Sequence, residues 1–116
     1  MTEEQRVNVN AWIEALESGK YRQGTGHLRQ VMNDNAPSYC CLGVLCEINN
    51  FPRATTNNRA YVYPDGSTSN TFTDDEWFTQ ITGLYGDVQL ELANINDNNN
   101  FREVVETLKI YLEQTP

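Results

Sequence analysis

Basic charge is scarce in this chain: lysine and arginine number 8 against 16 aspartates and glutamates, a formal net charge of -8 over 116 residues. That balance disfavours general binding to nucleic-acid backbones and to anionic membranes, both of which call for a basic face. Long apolar runs are missing too. The longest, Tyr39 to Ile48, falls far short of the roughly 20 residues that cross a bilayer, and it contains Gly43 and Glu47. The start, Met1-Thr2-Glu3-Glu4-Gln5, is acidic where a secretory signal is basic. A soluble, cytoplasmic protein is expected.

Cysteine is confined to Cys40, Cys41 and Cys46, an odd number within one apolar segment. This spacing makes neither a disulfide framework nor a C-x-x-C metal knuckle, so the thiols read as small buried packing groups. His27 is the sole imidazole. The asparagine-rich stretch Asn94 to Asn100 superficially resembles a calcium loop but lacks the acidic residue that closes an EF-hand. No GxSxG, HExxH or Walker pattern occurs. These absences predict no metal, no cofactor and no catalytic residues. Glu47, at the end of an apolar helix, is more simply a helix-end carboxylate reaching solvent than a tuned acid.

What is present begins with Tyr39-Cys40-Cys41-Leu42-Gly43-Val44-Leu45-Cys46-Glu47-Ile48. Eight of these ten residues are apolar or aromatic, in a chain that is only 39% hydrophobic with a mean hydropathy of -0.60. The segment has to be buried, and it predicts a central helix capped by Ser38 and running to about Asn49. A first helix is expected from Glu3 to Ser18, with a Thr2/Gln5 capping box, a stripe of Val9, Trp12, Ile13 and Leu16, and Gly19 after its end. Leu28 to Met32 predicts a short strand, and Asn33 to Pro37 a turn. Tyr61-Val62-Tyr63 and Ser69 to Phe72 flank the turn Pro64-Asp65-Gly66, which predicts a hairpin or flap.

Thr73 with Glu76 has capping-box spacing and starts a short helix through Trp77, Phe78 and Ile81 that Gly83 ends. Val88, Leu90 and Leu92 alternate with polar residues, the pattern of a half-buried strand, although a short helix also fits. Asn94 to Asn100 reads as a loop leading to a helix cap, and Phe101, Val104, Val105, Leu108 and Leu112 trace a final helix. The expectation is an α+β fold, a single small domain over residues 1–116, with about four helices around a small antiparallel sheet or hairpin.

Lys20 to Arg29 holds three cations, His27, Gln23 and a Gly-Thr-Gly triplet, a concentration that stands out in so acidic a protein. Arginine suits bidentate contact with phosphate, and Arg102 would oppose the dipole at the start of the last helix unless something else calls for it. Asn96 and Asp97 just upstream can accept hydrogen bonds from ribose hydroxyls or base edges. The plain alternative is that the asparagines build a turn and Arg102 pairs with Glu106 four residues on.

Trp12-Ile13-Glu14-Ala15-Leu16-Glu17-Ser18-Gly19-Lys20-Tyr21-Arg22-Gln23, the Cys40 to Cys46 string and Asn96-Asp97 followed by Phe101 together resemble a family of small phage-encoded proteins with W-x-x-A-L-x-S-G-x-Y-x-Q and CCLGVLC motifs. The resemblance covers most of the chain except residues 52–72. It implies a phage accessory protein in the host cytoplasm, directed at a host system. A class that suits the residues is the signal-sequestering anti-defence protein, which binds a small nucleotide-derived molecule without catalysis and gains from homo-oligomerisation. In that reading Arg22, Arg29 and Arg102 contact phosphate, Asn96 and Asp97 hold ribose or base, Tyr21 or Trp77 stacks, and His27 adds a donor. The rival readings are an acidic protein–protein inhibitor of a host enzyme such as a defence nuclease, possible through nucleic-acid mimicry, and a small hydrolase.

Overall fold

Helix α1 (Glu3–Glu17) starts with the capping box in place: Thr2 Oγ1 accepts from Gln5 N at 3.1 Å, and Gln5 Oε1 accepts from Thr2 N at 2.8 Å. The computed structural model describes residues 1–31, 36–54, 60–64, 66–69 and 76–115. Val9, Trp12, Ile13 and Leu16 form the buried stripe of α1, and Gly19 follows with φ +77°, as their spacing predicts. Strands β1 (Arg29–Val31) and β2 (Pro37–Tyr39) pair antiparallel, with Arg29 opposite Tyr39.

Helix α2 (Cys41–Ile48) follows directly and is the centre of the molecule, with Cys41 through Cys46 all buried. Its cap is not Ser38. Pairing with β1 keeps the chain extended through Tyr39, so the helix turns in only at Cys41, and Cys40 Sγ accepts from Gly43 N at 3.3 Å. Gly43 costs a helix about 1 kcal/mol relative to alanine, but the packing demands it: a Cβ there would lie 1.7 Å from the Leu28 carbonyl oxygen. Trp12 Nε1 donates to the Cys41 carbonyl at 2.8 Å, fixing α1 against the start of α2.

Strands β3 (Tyr61–Val62) and β4 (Thr68–Ser69) form the expected hairpin around Gly66 at φ +86°. The predicted strand residues 70–72 and the Thr73 cap lie outside the described residues. Helix α3 (Glu76–Thr82) is ended by Gly83 at φ +74°. Helix α4 (Gly86–Asn98) replaces both the expected strand at 88–92 and the expected loop from 94. Its buried residues are Val88, Gln89, Leu92, Ala93 and Asn96, a helical spacing, while Leu90 is 54% exposed. Two buried polar residues hid the helical period, and one exposed leucine imitated a strand.

Asn100 then caps α5 (Phe101–Gln114), accepting from Glu103 N at 3.2 Å. Arg6 closes the other end of α5 by donating to the carbonyls of Leu112 and Thr115. The described residues thus hold five helices, one more than expected, and two two-stranded antiparallel pairs, an α+β arrangement. A single buried cluster draws on all five helices and on β2 and β3. No helix among the described residues is long and apolar enough to cross a membrane.

Candidate functional site

The basic segment after α1 is held by side chains 70 or more residues away. Gln23 Nε2 donates to the carbonyls of Asn96 and Asn99, at 2.9 and 3.0 Å, and its Oε1 accepts from Phe101 N at 3.2 Å. Asn96 Nδ2 donates to Gly24 O at 2.9 Å, and its Oδ1 accepts from Cys41 N at 3.0 Å. Asp97 Oδ1 accepts from Gly26 N at 3.2 Å. One knot of amides therefore joins the glycine segment, the start of α2 and the α4–α5 junction. Satisfying the free N–H of Cys41 at a helix start is a folding task, and Asn96, 0% exposed, performs it.

The same segment runs alongside β2. Tyr39 N donates to Arg22 O and Gly24 N to Tyr39 O, each at 2.7 Å, which makes a parallel bridge of Gln23 to Tyr39. Tyr39 thus lies between Gln23 and Arg29, and residues paired across strands share a face. Arg22 precedes Gln23 by one position and belongs to the opposite face. Its side chain is exposed and its Nη2 sits 3.5 Å from the Ala36 carbonyl. Tyr21 is half-buried and meets Tyr39 edge to face at 5.4 Å. His27 is half-buried, with Nδ1 shielded from solvent and without a hydrogen-bond partner among the described residues.

The eight residues singled out by sequence are thus only partly brought together. Tyr21, Arg22, His27 and Arg29 share the β1–β2 neighbourhood, and Asp97 reaches it through Gly26. Asn96 is consumed by the fold. Trp77 is 5% exposed inside an aromatic cluster, stacked on Tyr63 at 5.2 Å and edge-on to Phe51 and Phe78, so it offers no face to a base. Arg102 is exposed on α5 and pairs with Glu106 at 3.7 Å, in a groove it shares with Leu16, Glu17, Val105 and Lys109.

A second polar group adjoins the first. Glu47, in the last turn of α2, accepts from Arg53 Nη2 at Oε1 and from Tyr61 Oη at Oε2, both at 2.6 Å. Burial and the neighbouring Glu47 carboxylate push the Tyr61 phenol well above its ordinary range, and the same two causes raise Tyr21. Tyr39 and Tyr61 were not singled out by the sequence; the Tyr-Val-Tyr alternation, which puts Tyr61 and Tyr63 on one face, was the available signal. The thiols are buried and form no disulfide, and burial lifts Cys40 to about 12, which removes it as a nucleophile near neutral pH. No group of three or more metal-ligating side chains occurs among the described residues.

The model of the family described as "Domain of unknown function (DUF8296)" matches residues 4–110. The chain belongs to that family. No curated protein and no solved structure matches it. The matched span runs from the first turn of α1 into α5 and includes every element between them, and with them the amide knot, Arg22 and the Glu47 group. Charge divides this family domain unevenly: residues 20–59 contain five of the eight basic residues and only two of the sixteen acids.

Proposed function

We propose that this protein binds a small, phosphate-bearing, nucleotide-like ligand at the segment from Tyr21 to Arg29 and withholds it without turning it over. The observation that carries the reading is the rigid mounting of that segment. The side chains of Asn96 and Asp97, at the end of α4, bond its backbone at Gly24 and Gly26, and Gln23 anchors it through its own side chain to the Asn96 and Asn99 carbonyls; a pre-ordered loop loses little entropy when a ligand arrives. Arg22 is the phosphate contact, Tyr21 the flanking aromatic and His27 a further polar partner. Arg29 adds its charge from the other face of the strands. The segregation of positive charge into residues 20–59 favours approach of an anion there despite the net charge of -8. In the phage setting that the motifs imply, sequestration of such a molecule blunts a host defence signal.

Calorimetric titration with a cyclic dinucleotide, ADP-ribose, AMP and inorganic phosphate tests this. At least one nucleotide should bind and be recovered intact, and Arg22→Gln should weaken it about tenfold or more, as expected for loss of a charge-assisted hydrogen bond. No heat with any of the four, or recovery of a cleaved product, contradicts the reading. A second reading, an acidic inhibitor of a host protein, is favoured by the location of fourteen of the sixteen acids outside residues 20–59. It requires a salt-sensitive complex with a basic protein that Arg22→Gln leaves intact.

A further inference from the structure

Helix α2 ends in a two-bond turn. Asn50 takes φ +59°, Asn50 N donates to Glu47 O and Phe51 N to Cys46 O, each at 3.1 Å. This is the Schellman pattern with asparagine in the left-handed position, so the positive φ is explained by capping. The turn sends the chain back along the helix end, and the bridge of Arg53 to Tyr61 then delivers both Arg53 and the Tyr61 hydroxyl to Glu47. A cavity of about 380 Å³ opens beside them, lined by Glu47, Asn50, Phe51 and Arg53.

The hydrogen-bonding capacity of this lining is only partly used. A carboxylate has about four acceptor positions and a guanidinium five N–H donors. Glu47 spends two acceptor positions, one on each oxygen, and Arg53 gives one of its nitrogens to that pair. The Asn50 amide adds donors and an acceptor at the rim. Opposed charges at the lining disfavour a simple anion, which Glu47 repels, and a simple cation, which Arg53 repels. An apolar group would leave the carboxylate and the amide without water. A neutral group that both donates and accepts at neighbouring atoms meets these demands.

We propose that this cavity is a binding site for a vicinal diol, such as that of a ribose or of a free glycoside. The two hydroxyls donate to the two oxygens of Glu47 and accept from Arg53 and Asn50, while the edge of Phe51 packs against the carbon frame between them. Tyr61 acts as a positioning residue for the carboxylate, and Arg53 both holds the carboxylate and donates to the diol. The site goes beyond the phosphate reading and does not depend on it.

An amide NMR titration of the full chain separates the two. The probes are AMP, 2′-deoxy-AMP, methyl mannoside and inorganic phosphate. The expected result is that AMP and methyl mannoside, which carry vicinal hydroxyls, shift the amides of Asn50, Phe51 and Arg53, and that 2′-deoxy-AMP and phosphate do not. Glu47→Gln should weaken the diol about tenfold. Because that change also weakens the bonds to Arg53 and Tyr61, Asn50→Gly is the cleaner variant: glycine is preferred at a left-handed cap, so the fold is kept and only the amide is lost. It should weaken the diol about threefold. Equal shifts at these amides with 2′-deoxy-AMP, no shift with either diol, or unchanged diol affinity in Asn50→Gly overturns the proposal. Shifts confined to residues 20–29 with AMP, 2′-deoxy-AMP and phosphate alike would reject the diol site while upholding the phosphate site. Diol shifts at Asn50 to Arg53 with residues 20–29 silent would do the reverse.

Discussion

Two polar clusters in this molecule look alike on paper and behave differently in space. Around Asn96, every amide atom of Asn96 and Gln23 is engaged, and the partners are backbone groups of three separate segments. Around Glu47, the carboxylate and Arg53 are engaged with each other but line a cavity open to solvent, with bonding capacity left over. The first cluster is a fastening and the second a surface. Of the residues that make the sequence recognisable, Gln23 and Asn96 form the fastening, while Trp12 and Gly43 seat helix α2 against α1 and the Leu28 backbone. Distinctive residues in a small domain can therefore mark where the backbone must be satisfied rather than where a ligand sits.

Several substitutions would break that contrast. The largest effect is expected from Gly43→Ala. Its Cβ has no room against the Leu28 carbonyl, and α2 would have to move away from β1, at a cost of about 3 kcal/mol or more in urea unfolding. Tolerance of this change would mean that the helix–strand contact is not close. Next is Asn96→Ala, which strands the Cys41 N–H and the Gly24 carbonyl in the interior. A loss of about 2–4 kcal/mol should appear in the same assay, at the usual cost of buried unpaired groups. A loss below about 0.5 kcal/mol would remove the fastening from the account.

Alkaline pH acts on the same core. Cys40 rises from an ordinary 9.0 to about 12 because burial disfavours the thiolate. The fold thus holds the neutral thiol, and this contribution is fully present below pH 9.0 and lost as pH climbs to about 12. Raised values for Cys41 and Tyr61 act in the same direction. Urea midpoints measured across that window should fall steadily, and Cys40→Ala should flatten part of the fall. A midpoint that holds steady to pH 12 would show the thiols to be less buried than described. The smallest effect belongs to Arg102→Gln. Its ion pair with Glu106 is 83% exposed on the arginine side, and losing it should change stability by no more than about 0.5 kcal/mol.

How much of this was legible in the sequence varied by element. Helix α1 and helix α5 could be read to within a residue or two at most boundaries, because their apolar stripes are uninterrupted and their caps use standard side chains. The burial of the Cys40 to Cys46 string followed from its contrast with the rest of the chain. Helix α4 reads first as a strand, with a short helix only as the alternative, and its last turn as a loop, since Gln89 and Asn96 occupy buried positions that a hydrophobic period treats as exposed. The cap at Cys40 was missed because a thiol seldom serves as one and Ser38 offered an ordinary candidate.

The candidate site was less legible still. Pairing across β2 puts Arg22 and Arg29, seven residues apart, on opposite faces, and no local spacing reveals that. Glu47, Arg53 and Tyr61 meet only through the turn at Asn50 and a single backbone bridge. Trp77 and Asn96 carried the right chemistry for a ligand, but packing had already claimed both.

Native mass spectrometry would show whether the protein captures a small ligand at its basic segment and keeps it whole. The protein would be incubated with a lysate of defence-activated bacteria, alongside the Arg22→Gln variant. An added mass in the nucleotide range is expected, released intact on denaturation and absent from the variant. Bare protein in both samples, or a bound polypeptide that the variant retains, would contradict capture of a small ligand.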